Sequence, residues 1–321
     1  MSGNLFATIR ARAADVSRAA RFVRIDARAL ERLAERLAMD PPAPPVWDVS
    51  THHRGSPRST LAYVITLDAI NFGSGWFPKL RKRDGRSGYF TLAMGLKDRF
   101  DAEGPWGARE LAELSPSDLA RVTGQDVEDP AVVELLALFA ASLNDLGEFL
   151  ERRHAGSFAG LVEAAAGSAE RLVRSLAEMT LFRDVSVYDD FEVPFYKRAQ
   201  ITAADLSLAF DGESYGRFED LAELTAFADN LVPHVLRMEG VLQYRQRLGE
   251  RIDAGELLDP GSPEEVEIRA VCIHAVEEIV AAIRARGGTT TAQAIDSTLW
   301  QRGQRPEIKA HPRHRARCPY Y

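Results

Sequence analysis

Apolar residues recur at helical spacing along most of this chain, so helices dominate what the pattern predicts. Residues 26–38 carry Leu30, Leu33 and Leu37 on one face and stop before Pro41-Pro42-Ala43-Pro44-Pro45, a run suited to a rigid connector or an extended wall. Residues 129–153, 157–179 and 219–239 read as helical segments with local breaks. The sharpest start signal is Ser262-Pro263-Glu264-Glu265. Ser262 fits the N-cap, Pro263 the first helical position and Glu265 the reciprocal acid of a capping box. That helix is expected to end at Gly287-Gly288, with Thr290 or Thr291 starting another through Trp300. Extended structure is harder to place. Leu61–Leu67 fits a strand or a buried helix equally, and Val185–Tyr188 fits a strand. With no repeat, heptad array or low-complexity tail, the expectation is a predominantly α fold, one compact domain over residues 1–321.

One carboxylate stands out in this pattern. Phe218 to Phe227 has helical spacing, with Leu221, Leu224 and Phe227 on one face, and Pro233 suits the first turn of a second helix running from His234 through Leu236. Asp229 falls in the elbow between the two, near the amide-rich start of the second. An acid there is either a helix cap or a catalyst.

Composition narrows the field. Hydrophobic residues make up 45% and charged residues 27% of the 321, a balance that provides for a substantial core. A net charge of −7 argues against broad attraction to duplex nucleic acid, while leaving room for a small anion in a local basic pocket. Cys272 and Cys318 are too few for a disulfide framework or a cysteine-rich zinc site. Met1 to Asp15 has no continuous apolar core and carries Arg10, Arg12 and Asp15. No stretch approaches the roughly 20 apolar residues of a membrane span, and a cytosolic location is expected.

Four clusters can bear chemistry. Asp68 and Asn71, three apart, share a helix face and offer the acceptors and amide that suit the edge of a purine-like base. Phe72, Trp76 and Phe77 beside them supply stacking faces, or alternatively a helix end with core aromatics. Gly73-Ser74-Gly75 lacks the Gly-Lys-Ser/Thr ending of a phosphate loop. Lys197 and Arg198 follow the aromatic Phe195-Tyr196, where they can bind a phosphate, set an ammonium against a carboxylate, or form a surface pair. Thr202 is expected to begin a short helix with Asp205 in its first turn. Glu267, Arg269, His274 and Glu277 share one helix, where ion pairing explains them better than a metal does. Asp296 and Trp300, four apart, share a face, and the Pro319-Tyr320-Tyr321 tail either folds back over a pocket or frays. The basic stretch Lys79–Gly88 reads as a solvated turn and the pair His52-His53 as surface. No nucleophile elbow, Cys–His signature or dinucleotide fingerprint is present.

In chain order, several of these segments resemble the queuosine salvage protein family, the queuosine 5′-phosphate N-glycosylases. The likeness is carried by Leu67-Asp68-Ala69-Ile70-Asn71-Phe72, Phe195-Tyr196-Lys197-Arg198-Ala199-Gln200-Ile201 and Leu224-Thr225-Ala226-Phe227-Ala228-Asp229. Glu267-Ile268-Arg269-Ala270, Asp296 to Trp300 and the His314 to Tyr321 segment add to it. The resemblance implies hydrolysis of the N-glycosidic bond of queuosine 5′-monophosphate, releasing queuine for reinsertion into tRNA. It further implies an α-helical architecture similar to DNA glycosylases, without a duplex-binding role. On that basis Asp229 is expected to be the nucleophile, or the base and electrostatic partner of an attacking water, with Lys197 holding it ionised. Asp68, Asn71 and Phe72 are expected at the deazapurine or its cyclopentenediol arm, and Arg198 at the 5′-phosphate. Phe227, Asp296, Trp300 and Tyr321 are expected to wall the pocket. No cofactor or metal is implied, and the expected partner is the nucleotide, with neither a membrane nor a stable nucleic-acid complex. The chemistry fits the residues: departure of a base from a ribosyl carbon builds positive charge that a shielded carboxylate stabilises or captures. A repair-type base glycosylase and a non-catalytic helical module for nucleotide or RNA are the alternatives.

Overall fold

Side chains cap the starts of most α-helices among the described residues. The computed structural model describes residues 4–40 and 45–321, so the proline-rich run expected as a connector lies almost wholly outside the described residues. The fold is predominantly α. It divides into two compact units, each drawn from three stretches of chain.

The first unit comprises the described part of Met1–Pro45, with Asp184–Lys197 and Ala222–Arg317. Its axis is the helix Pro263–Ala285, opened as expected by Ser262, whose Oγ accepts the Glu265 N–H at 3.4 Å. Glu265 turns back onto Gly261 N–H (3.2 Å), one residue ahead of the expected partner. Gly287, at φ 82°, follows the helix end in the left-handed region that glycine tolerates. This helix buries apolar residues on nearly every side, against the helices Leu5–Ala19, Ala27–Met39 and Ala292–Gly303. Two antiparallel ribbons complete the unit. Val23–Ile25 pairs with Leu242–Tyr244, Val23 opposite Tyr244, and Val185–Tyr188 pairs with Phe191–Pro194, Val185 opposite Pro194. The expected strand at Val185–Tyr188 is therefore present. Glu267, fully buried, joins the ribbons to the long helix by accepting from the N–H groups of Arg21 (2.9 Å), Phe22 (2.6 Å) and Val23 (3.0 Å) and from Tyr188 Oη (2.7 Å). Four donors on one carboxylate compensate for taking it out of water.

The second unit comprises Val46–Arg183, Arg198–Leu221 and Cys318–Tyr321. Its central helix, Pro130–His154, packs against Ala108–Ala112, Pro116–Thr123, Phe158–Ala164 and Pro57–Ala69. Contrary to the sequence expectation, this helix is long and apolar enough to cross a membrane by length and composition, because only Glu134 and Asp145 are charged between Pro130 and Gly147. In the fold its apolar residues, Leu135, Leu136, Phe139 and Leu143 among them, line the core of this unit. The ambiguous Leu61–Leu67 run is the buried body of the helix Pro57–Ala69.

Two helix expectations are corrected. Phe218–Phe227 is not a helix; it forms one short turn at Leu221–Glu223, and residues 224–229 are irregular. Side chains elsewhere in the first unit claim that backbone: Asp296 Oδ1 accepts Phe227 N–H at 2.8 Å, and Arg269 Nε donates to the Ala228 carbonyl at 3.0 Å. A segment this short has little helical stability of its own to resist them. The helix expected from Thr202 begins at Lys197 instead, so Thr202 is interior, its hydroxyl donating to the Arg198 carbonyl at 2.9 Å.

Candidate active site

The irregular segment 224–230 gives Asp229 its setting. Asp229 is half-buried, and its Oδ1 accepts two N–H groups, from Leu231 at 2.7 Å and Val232 at 3.0 Å, at the start of the helix Val232–Met238. Its Oδ2 makes no hydrogen bond among the described residues. The two readings of this acid are therefore compatible: one oxygen caps and orients, and the other is left to act.

A second carboxyl lies in the same neighbourhood. Asp296 is 4% exposed and fixes the chain beside Asp229 through its bond to Phe227 N–H. Burial first, and then the negative charge of Asp229, push the Asp296 carboxyl well above the ordinary carboxylate range, with Lys197 opposing the rise. Two acids with unlike environments thus sit together, one favouring its protonated form. Lys197 is itself buried and within electrostatic reach of Asp296. Phe227 is buried, and Trp300 lies one turn beyond Asp296 on the helix Ala292–Gly303, half-buried, as the four-residue spacing predicts.

A buried ion pair holds these groups in register. Arg269 donates from Nη1 and Nη2 to the two oxygens of Asp184 at 2.9 and 2.6 Å, and its guanidinium stacks on Phe195 at 3.9 Å. The Asp184 carbonyl accepts from Phe195 N–H (2.9 Å) and Tyr196 N–H (3.2 Å), and its carboxylate accepts from Lys197 N–H (3.1 Å). This clasp keeps Tyr196 at a positive φ of 48°, unusual for a side chain of its size, immediately before Lys197. Through Ala228 the same arginine holds the residue preceding Asp229. Spacing drew attention to Arg269 but not to Asp184, whose partner lies 85 positions away.

The remaining candidates belong to the second unit. Asp68 is buried near the end of the helix Pro57–Ala69, whereas Asn71 lies past that end, so the two do not share a helix face as the spacing predicts; Asn71 Nδ2 nonetheless donates to Asp68 Oδ1 at 3.4 Å. Phe72 is buried edge-on against Phe139, ring centres 5.0 Å apart. Arg198, expected at the 5′-phosphate, is engaged by protein groups. It is 2% exposed, stacks on Phe72 and Phe182, and donates to the carbonyls of Ala69 and Leu181. Trp76 is a core residue whose Nε1 donates to Glu134 at 2.8 Å. Tyr321 is buried, and its carbonyl accepts from Gly73 N–H (3.0 Å) and Ser74 N–H (3.3 Å), so the tail folds back.

Other expectations resolve simply. His52 and His53 are buried, not on the surface: aromatic neighbours enclose them, and His53 bridges Asp101 (2.5 Å) and Ser59 (2.7 Å). On the long helix, Glu267 serves the ribbons and Glu277 pairs with Arg10 at 3.0 Å, so these acids go to separate protein partners. The basic stretch 79–88 is a turn whose cations meet acids, Arg83 with Asp98 at 2.6 Å among them. An open groove of about 510 Å³ in the second unit, lined by Arg109, Glu148 and Arg152, contains none of the candidate residues.

Comparison with known proteins places the chain in a family. A family model described as "Queuosine salvage protein" matches residues 51–321. A protein of Sphaerobacter thermophilus is 39% identical over 307 residues, covering 94% of each chain, and bears the name queuosine 5′-phosphate N-glycosylase/hydrolase. Proteins of the same name from Mus musculus and Dictyostelium discoideum are 30% and 32% identical, covering 95% and 82% of this chain and 96% and 78% of their own. With matches of that extent, this chain belongs to the queuosine salvage protein family.

Proposed function

We propose that this chain hydrolyses the N-glycosidic bond of queuosine 5′-monophosphate, releasing queuine for return to tRNA. The observation that carries the reading is the Asp229 carboxylate, held through Oδ1 by two amides while Oδ2 remains without a hydrogen bond among the described residues. A carboxylate held this way needs no reorganisation when positive charge develops at the ribosyl carbon, which is where preorganised electrostatics count most. The names of the relatives support the substrate.

The reaction follows from that placement. As the bond from C1′ to the base nitrogen lengthens, its electron pair leaves with the base and C1′ becomes oxocarbenium-like. Asp229 Oδ2 either stabilises that cation while water attacks or bonds to it before water displaces the carboxylate. In both cases water supplies hydroxyl to C1′ and a proton to the departing base. Asp296, shifted toward its protonated form, avoids a second negative charge beside Asp229 and keeps a proton close to the reacting groups. The buried Lys197 ammonium balances the acids electrostatically.

Asp229→Asn tests the proposal. Asparagine retains an oxygen for the Leu231 and Val232 amides, so the fold and the melting temperature are expected to persist. Queuine released from queuosine 5′-monophosphate, followed by mass spectrometry, is expected to fall by about a hundredfold or more. Near-normal turnover in that variant would end the assignment.

A further inference from the structure

Arg198 is engaged by carbonyls and aromatic rings of the second unit, whereas the first unit contains an arginine without such partners. Arg313 is half-buried, its Nε is shut off from solvent, and its guanidinium makes no hydrogen bond or ion pair among the described residues. Leaving such a donor unmatched is costly, and an unmatched buried polar group in a folded protein calls for a cause. The backbone around it is firmly held. Asn230 Nδ2, next to Asp229, donates to the His314 carbonyl at 3.4 Å, while the Arg315 carbonyl accepts Leu258 N–H at 2.8 Å. The Arg313–His314 stretch therefore runs alongside Asp229–Asn230. Arg313 is within electrostatic reach of Asp229 but not within the 4.0 Å of an ion pair, so the two are near each other without meeting.

Lys309, exposed at the end of the helix Pro306–Lys309, is close enough for its charge and that of Arg313 to repel, and it too has no acidic partner among the described residues. His234 borders these two cations as a neutral ring, because burial lowers its pKa: it is 1% exposed, its Nε2 lies 3.1 Å from the Ile308 carbonyl, and its Nδ1 has no partner. Cations gathered without an anion, beside a carboxylate aimed at a sugar, describe an incomplete site. In a ribose 5′-phosphate unit the phosphorus and C1′ lie on opposite flanks of one furanose ring. A cation near Asp229 but out of contact with it matches that separation.

We propose that Arg313, assisted by Lys309, is the subsite for the phosphomonoester of the substrate, so that the ribose spans from Arg313 to Asp229. This assignment rests on the glycosidase reading above. It predicts that recognition of the phosphate, rather than of the base, is lost when Arg313 is replaced.

The test titrates ribose 5-phosphate into the full-length protein by calorimetry, for wild type, Arg313→Gln and Arg313→Lys. Arg313→Gln is expected to weaken binding by about ten- to a hundredfold, with Arg313→Lys in between, because charge without the fork restores only part of the interaction. In parallel, the KM for queuosine 5′-monophosphate should rise by a similar factor in Arg313→Gln, with its melting temperature held. Equal affinity of wild type and Arg313→Gln for ribose 5-phosphate, undetectable binding included, overturns the assignment. If wild type released no queuine while ribose 5-phosphate binding still depended on Arg313, the glycosidase reading would fail and the phosphate subsite would stand.

Discussion

Asp296 and Arg269 show how neighbours set the behaviour of a single side chain. Arg269 is a buried cation fully engaged, with Asp184 on its fork and the Ala228 carbonyl on Nε. Asp296 is a buried acid held near another acid. Burial and the charge of Asp229 raise its pKa, so the folded chain binds this proton more tightly than the unfolded chain does. Its stabilising contribution is complete below the unfolded carboxylate value of about 3.9 and is lost as pH climbs through the higher folded value. Asp296→Asn cannot ionise and keeps an oxygen for Phe227 N–H. It is therefore expected to melt about a few degrees above wild type near pH 8, with the gap closing toward about pH 4. Scanning fluorimetry across that range checks the sign; a gap that widens on acidification contradicts it. Asp229 was recognisable beforehand because Pro233 marks a helix start in the sequence itself. Asp184 and Arg313 were not, since what distinguishes them is a distant partner in one case and the lack of any partner in the other.

Helices announced by their own chemistry were read well. The Ser262-Pro263 start and the Thr291 cap of Ala292–Gly303 lie in consecutive residues, where a linear reading finds them. The segment 224–230 was misread because its apolar spacing is genuine while its conformation is imposed from the helices Pro263–Ala285 and Ala292–Gly303. Close packing is equally hidden. A methyl group added at Gly147 would come within 2.4 Å of the Ala108 carbonyl oxygen and 2.5 Å of the Ala112 nitrogen. Both are backbone atoms that cannot swing aside, so the helices Pro130–His154 and Ala108–Ala112 would have to separate. Gly147→Ala, favourable by helix propensity alone, is instead expected to cost about 1–3 kcal/mol. Urea unfolding would measure the loss, and a stabilised variant would show that the helix pair has slack.

For the molecule as a whole, apolar spacing anticipated the fold class but not its partition. Each unit recruits three separated stretches, and no compositional shift marks the borders, since Lys197 and Arg198 are neighbours in sequence yet belong to different units. Such borders arise from long-range packing, which periodicity does not encode. Charge bears on partners at this scale. With a net −7 and many surface arginines matched to acids, as in Arg83–Asp98 and Arg153–Glu178, the chain presents few cations for a polyanion. Duplex DNA followed by fluorescence anisotropy at about 0.15 M salt is expected to show no saturable binding up to roughly 10 µM protein. Saturation below that would revive the repair-type reading.

The Glu267 carboxylate, which gathers the amides of Arg21, Phe22 and Val23 in succession, also limits how this region can vary. One side chain counts three consecutive peptide groups, so an insertion or deletion there would slip the count and strand a buried negative charge. Length in that short stretch is dictated from more than two hundred positions away, and loop grafting or domain insertion belongs elsewhere in the chain.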